Sequence, residues 1–298
     1  MNHLFSMVSV FLLLTSCLFV ADSTFTVTAQ TTETPASEEA GKQKERGYRL
    51  PTRITVVYWD EDVIAEKGIP EWTAEAVNVI REYYPKYDKY LETEGHLPPG
   101  TMELQAHRSG PIGWNNGAAI GFSIRWIKPG AGGENDWGMI VHEMVHYIQN
   151  YRSGEAKGLP YWAIEGIADF MRYAFYEPES EMLPVDPNMA NYNDGHQVTA
   201  GFFMYIVDTY DTDFIKKLNR AARQLTYSGE MYEQNTGKKP DILWAEYVEK
   251  VLKPLQQENK RLVPAARFPN VMRHIKEFEE HFSTLKPEPL PRPQQASQ

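Results

Sequence analysis

The chain has 298 residues, 42% of them hydrophobic and 12% aromatic, enough to bury a substantial core in one large domain or two small ones. Acidic residues outnumber basic ones 40 to 30, for a formal net charge of −10. With no basic stripe and no recognition motif, nothing favours nucleic-acid binding.

Leu4 to Val20 is a nearly unbroken apolar run, too short and too poorly flanked for a membrane anchor. It reads as the core of an export signal covering residues 1–29, with removal after Ala29 or Ala21. Its first residues lack Lys and Arg. Leu14-Thr15-Ser16-Cys17 also fits a bacterial lipoprotein box, which would leave the mature chain lipid-anchored at Cys17. Either way the protein is expected to be exported: secreted, periplasmic or in the cell envelope. Once the signal is removed by ordinary cleavage no cysteine remains, which excludes disulfides, thiol catalysis and cysteine metal ligands.

Residues 30–47 are polar without apolar periodicity and read as a linker, so the folded domain is expected over 48–285. Arg53 to Tyr58 is β-branched and predicts a strand. Glu71 to Tyr84 has helical spacing, ended or kinked by Pro85. A Pro98-Pro99-Gly100 turn leads to a strand over Thr101 to Ala106. Ala119 to Trp126 reads as another strand, either an edge along which an extended peptide pairs or an ordinary member of the sheet. Asn135 or Asp136 caps the next helix, and a second starts at Pro160 or Tyr161. After a loop over 177–195, helical patterns occupy His196 to Tyr210, Asp213 to Leu225, Asp241 to Leu255 and Asn270 to Phe282. Residues 286–298 are a proline-rich tail. Strands in the first half and helices in the second predict an α+β fold with a cleft between two subdomains.

The chemistry concentrates between His142 and Asp169. His142-Glu143-Met144-Val145-His146 is an H-E-x-x-H pattern. At i and i+4 of a helix both imidazoles leave one face, so they can share an ion, and the glutamate between them lies beside a metal-bound water rather than on the metal. A catalytic zinc site needs a third protein ligand. Gln149 and Arg152 stand where a continuing histidine pattern would need Gly and His, so the candidate is Glu165 in Glu165-Gly166-Ile167-Ala168-Asp169. Asp169, one turn on, would accept the outer N–H of a ligand histidine. Both segments are largely apolar, where unpaired charges are costly, and a metal accounts for the clustered ionisable groups. His96, His107, His274 and His281 lack ligand spacing.

HExxH followed by ExxxD resembles the gluzincin zinc metallopeptidases, of which thermolysin is a familiar member. The wording is closer to the plant basic secretory protein family and its bacterial relatives. His142 to Gln149, Ile164 to Arg172, Val198-Thr199-Ala200-Gly201-Phe202-Phe203, Thr236-Gly237-Lys238 and Leu243-Trp244-Ala245-Glu246-Tyr247 carry the likeness, which spans most of residues 50–255. The resemblance implies a zincin-like fold, a Zn²⁺ cofactor, and hydrolysis of a peptide or protein substrate with Glu143 as general acid and base. An oxyanion donor is expected near the VTA motif, where the family typically has a tyrosine. This chain has His196 there and Tyr192 four residues earlier, and both remain candidates. The alternative is a zincin-fold binding or defence-type protein with little or no catalysis.

Overall fold

The computed structural model describes residues 27–28, 47–51, 53–59, 61–151 and 158–288. Apart from Val27–Thr28, the expected export signal with Cys17 lies outside them, as do the linker up to residue 46 and the tail from 289.

Five strands form one mixed sheet: β1 (Val27–Thr28), β2 (Arg53–Tyr58), β3 (Thr101–His107), β4 (Gly113–Asn115) and β5 (Ala119–Ser123), in the order β1-β2-β3-β5-β4. β2, β3 and β5 run parallel, and the short β1 and β4 pair antiparallel at the two edges. Parallel neighbours need a long crossover. Here α2 (Ile69–Tyr90), preceded by the single turn α1 (Glu61–Ile64), connects β2 to β3.

α2 continues past Pro85, where an end or a kink was expected. Only one intrahelical bond is lost there, at the carbonyl of the exposed Arg81. The turn beyond is fastened externally: Tyr87 donates its hydroxyl to Met171 O at 3.1 Å, and Arg49 pairs with the buried Asp88 carboxylate at 2.6 and 2.7 Å. The strand expected over 119–126 ends at Ser123, which pairs with His107, the last residue of β3, and the chain then turns into α3 (Ile124–Ile127). β5 is fully buried between β3 and β4, an ordinary interior strand; the free edge belongs to β4.

Under the sheet runs α4 (Trp137–Gln149), buried at every residue except Trp137 and His146. A helix apolar on nearly all sides has to lie inside the fold. Asp136 caps it, accepting the Met139 N–H at 3.1 Å, and is itself held by Arg172 at 3.0 Å and the Trp126 indole at 2.9 Å. Asn150, left-handed at φ 38°, ends it.

The second half is helical: α5 (Tyr161–Met171) with a π-helical extension over Arg172–Tyr176, α6 (His196–Thr209), α7 (Phe214–Gln224), α8 (Glu230–Thr236), α9 (Pro240–Tyr247) extended through Leu252, α10 (Lys253–Gln257), α11 (Pro264–Arg267) and α12 (Pro269–Phe282). α5 and α6 pack closely at Gly166, where an added Cβ would lie 2.8 Å from Thr199 Cβ and 3.0 Å from Phe203 Cε2. Residues of the sheet, α2, α4, α5 and α6 share one apolar core, including Leu104, Phe122, Ile80, Val145, Phe170 and Phe202. Among the described residues no helix is long and apolar enough to cross a membrane.

Candidate functional site

α4 presents His142 and His146 one turn apart, and α5 presents Glu165 and Asp169 with the same spacing, so the two pairs face each other. His142 Nε2 lies 3.1 Å from His146 Nε2 and 3.1 Å from Glu165 Oε2, and His146 Nε2 lies 3.3 Å from the same oxygen. A tetrahedral metal with bonds of about 2.0–2.1 Å sets its ligand atoms about 3.3–3.4 Å apart. These three atoms fit that spacing.

The outer ring nitrogens are both engaged, which turns the inner ones toward one another. Asp169 Oδ1 accepts from His142 Nδ1 at 2.7 Å, and Gln149 Oε1 accepts from His146 Nδ1 at 2.8 Å. With each Nδ1 donating outward, Nε2 is the nitrogen turned to the centre: it carries a second proton toward Glu165 when the imidazole is charged and is a free acceptor, as a metal requires, when it is neutral. Gln149, also tied to Ile164 O at 3.4 Å, belongs to this array, a contact that went unread in the sequence although its position three after His146 places it on the same helical face.

The electrostatics follow from this crowding. Burial alone would lower the His142 pKa, but Asp169, Glu165 and Glu143 outweigh it and push it up to about 10. Burial favours the neutral form of Glu165 as well, yet the hydrogen bonds from His142 and His146 hold its carboxyl well below the usual range. Glu143 is not drawn into this array. It is buried, and burial raises its pKa despite the two imidazoles nearby.

These groups line one wall of a cleft of about 1340 Å³, bordered also by Gly113 to Gly117, Tyr161, His196 and Arg223. β4 passes directly over Glu143: a Cβ on Gly113 would lie 2.9 Å from Glu143 Oε1. Ser123 N donates to Ile112 O at 3.0 Å and Asn116 N to Ala119 O at 3.2 Å. By the alternation of an antiparallel ladder, the main-chain groups of Gly113 and Asn115 therefore point away from β5, to the free edge.

The two donor candidates part company. His196 opens α6 on the cleft wall, its Nδ1 3.4 Å from Glu165 Oε2 and its ring stacked on His142 at 5.7 Å. Gly195 and His196 both have positive φ, at 81° and 44°. The turn is fixed by Thr199, whose Oγ1 accepts from Gly195 N at 3.0 Å and donates to Tyr192 O at 2.7 Å. Tyr192 is not brought to the site. Its ring packs on Trp162 and Phe202, and its hydroxyl faces Asp241. The remaining motif residues are structural: Glu246 receives Lys238 and Tyr210, joining α6 to α9.

The class of protein defined so far is an α+β chain whose two facing helices bring two ring nitrogens and a carboxylate oxygen together beside a buried carboxylate in a cleft. Residues 102–247, just under half of the chain, match the family model BSP, a peptidase of plants and bacteria. The match supports the basic secretory protein family and contains every residue of the site described above. None of the curated proteins compared matches the chain.

Proposed function

We propose that the chain is a zinc-dependent peptidase in which His142, His146 and Glu165 hold the ion and Glu143 is the general base. The observation that carries this reading is the convergence of two Nε2 atoms and a carboxylate oxygen, 3.1 to 3.3 Å apart, with both Nδ1 atoms engaged elsewhere. Without a cation or a proton those atoms repel. When bound, zinc supplies Lewis acidity, acidifying water and polarising a carbonyl.

The chain's own groups do the rest. Glu143 accepts a proton from the attacking water on a carboxylate oxygen and returns it to the departing amine; its burial moves its pKa toward neutrality, where such transfer is most effective. An extended peptide pairs with the outward main-chain groups of Gly113 and Asn115, which lays its backbone beside Glu143. His196 offers a ring N–H from the opposite element of the cleft wall. Export through residues 1–29 belongs to the same proposal and is tested by sequencing the N-terminus of the mature protein.

The test is elemental analysis and peptide-library cleavage on one preparation, with and without a chelator. About one zinc per chain, with cleavage lost on chelation and restored by zinc, is expected. No stoichiometric zinc after zinc addition would overturn the metal assignment. Zinc binding with no cleavage anywhere in the library would favour a zinc-holding binding protein.

A further inference from the structure

A cation without a counter-charge borders the cleft. Arg223, in the last turn of α7, is the only Arg or Lys among the described residues of the cleft wall. Its guanidinium donates to three uncharged oxygens: Leu91 O at the end of α2, Thr93 Oγ1 at 3.2 Å and Ile148 O at 2.8 Å. Asp88, which acts on it through space, is bound by Arg49 at 2.6 and 2.7 Å. The carbonyl ends of α2 and α4 offset part of the charge. Yet Nε is buried without a partner, and burial lowers the pKa of the group, as it does for a cation short of compensation. His96, in the loop after α2, adds no charge: burial and the guanidinium push its pKa down to about 4, and its Nε2 is likewise buried without a partner. Capping two helix ends accounts for the Nη contacts but leaves the charge unpaired. Glu94 also borders the cleft, but it is exposed and screened by water.

The free sheet edge leads toward this cation. β4 passes over Glu143 at Gly113, and the turn that follows comes down beside the end of α4, where a Cβ on Gly117 would lie 3.8 Å from Asn150 Oδ1. Arg223 holds the same end of α4 through Ile148 O, two residues past His146. A peptide paired along β4 with its reacting carbonyl near Glu143 therefore carries a position about two or three residues away toward the guanidinium, at about 3.3 Å per residue.

We infer that Arg223 is a specificity-determining residue that pairs with a carboxylate of the substrate, an Asp or Glu side chain or the peptide's own C-terminus, about two or three residues from the bond that is cut. The inference rests on the peptidase reading. The guanidinium is already partly desolvated and fixed by its three oxygens, so pairing orders little that was loose. A neutral amide in the same place would leave the cation unpaired, and the discrimination comes from that difference.

The test uses the zinc-loaded chain and peptides that differ only by Glu against Gln at each position around the cleaved bond, every one made as free acid and as C-terminal amide. In wild type one pair should differ by about 10–100-fold in kcat/KM in favour of the carboxylate. A Glu/Gln difference identifies a side chain as its source, and an acid/amide difference identifies the terminus. Arg223→Gln should abolish the ratio, and Arg223→Lys, a milder change that keeps the charge without the fork, should reduce it. The ratio is read within one variant, so a general loss of folding or zinc does not imitate it. Equal wild-type rates across all pairs overturn the inference while leaving the peptidase reading standing, and so does a ratio that persists undiminished in either variant. If wild type cleaves none of the peptides, the peptidase reading fails and calorimetric affinities for the same pairs decide the subsite: a carboxylate preference reduced in the variants keeps it, and equal affinities overturn it.

Discussion

Replacing Gly166 by alanine would push α5 and α6 apart at the point where the site depends on their separation. The added methyl would lie 2.8 Å from Thr199 Cβ and 3.0 Å from Phe203 Cε2, and nearer still to Thr199 Cγ2. Carbon contacts settle at about 3.5–4.0 Å, so the overlap at Thr199 Cγ2 exceeds about 1 Å. Neither neighbour can step aside. Thr199 is held by its bonds to Tyr192 O and Gly195 N, and Phe203 is fully buried. Overpacking of this kind costs about 1–3 kcal/mol, against a gain of up to about 1 kcal/mol from replacing a helical glycine by alanine. The overlap wins, for a net loss of about 1–2 kcal/mol. At about 2–4 °C per kcal/mol for a domain of this size, Tm should fall by about 2–8 °C. Glu165 precedes the substituted residue, so the shift should also weaken zinc binding. Thermal unfolding with and without zinc reads both effects. Thr199→Ser removes Cγ2 and keeps the hydroxyl, and in the double variant it should restore part of the loss. An unchanged Tm in Gly166→Ala, or no recovery in the double variant, would refute the packing argument.

Asp169→Asn and Gln149→Ala each disturb a single Nδ1 acceptor, at 2.7 and 2.8 Å, and should lower zinc affinity by about 10–100-fold in competition with a chelator; unaltered affinity in both would remove their orienting role. The metal-free protein has its own pH signature. The pKa of His142 is raised from the ordinary 6.5 to about 10, so its stabilising contribution is complete below 6.5 and lost as pH rises through about 10. The contribution of Glu165, whose pKa is lowered from 4.5, is complete above that value and lost as pH falls. Tm of the chelated protein should therefore decline from pH 6.5 to 10. The zinc-loaded protein, where the ion replaces the His142 proton, should decline less; parallel profiles would contradict this.

The ligand-bearing face was legible because it is periodic. His142 and His146, like Glu165 and Asp169, are related by one helical turn, a spacing that survives without tertiary knowledge, and the apolar flanks foretold that both helices would be buried. What depends on contacts between distant segments was not legible. β4 is three residues long, with no alternation to betray it, and is a strand only because β5 pairs with it. Ala119 to Trp126 therefore read as either an edge or an interior strand, and the strand within it is interior. Pro85 read as an end or a kink, and the continuation was hidden because the ties of Tyr87 to Met171 and of Arg49 to Asp88 join residues far apart in sequence. Tyr192 and His196 were indistinguishable by position alone. The turn fixed by Thr199 sends His196 to the cleft and Tyr192 to Trp162 and Asp241. Gln149 closed the first motif, but nothing in that motif said that its side chain accepts from the outer nitrogen of His146.

The most direct measurement is peptide hydrolysis by zinc-loaded Glu143→Gln beside wild type. Glu143 is buried next to His142 but contributes no atom to the ligand cluster, and glutamine preserves its shape while being unable to take a proton at neutral pH. The variant should keep its zinc and its Tm and lose about 10²–10⁴-fold in kcat. Equal cleavage by the two proteins would contradict the assignment of Glu143 as the base.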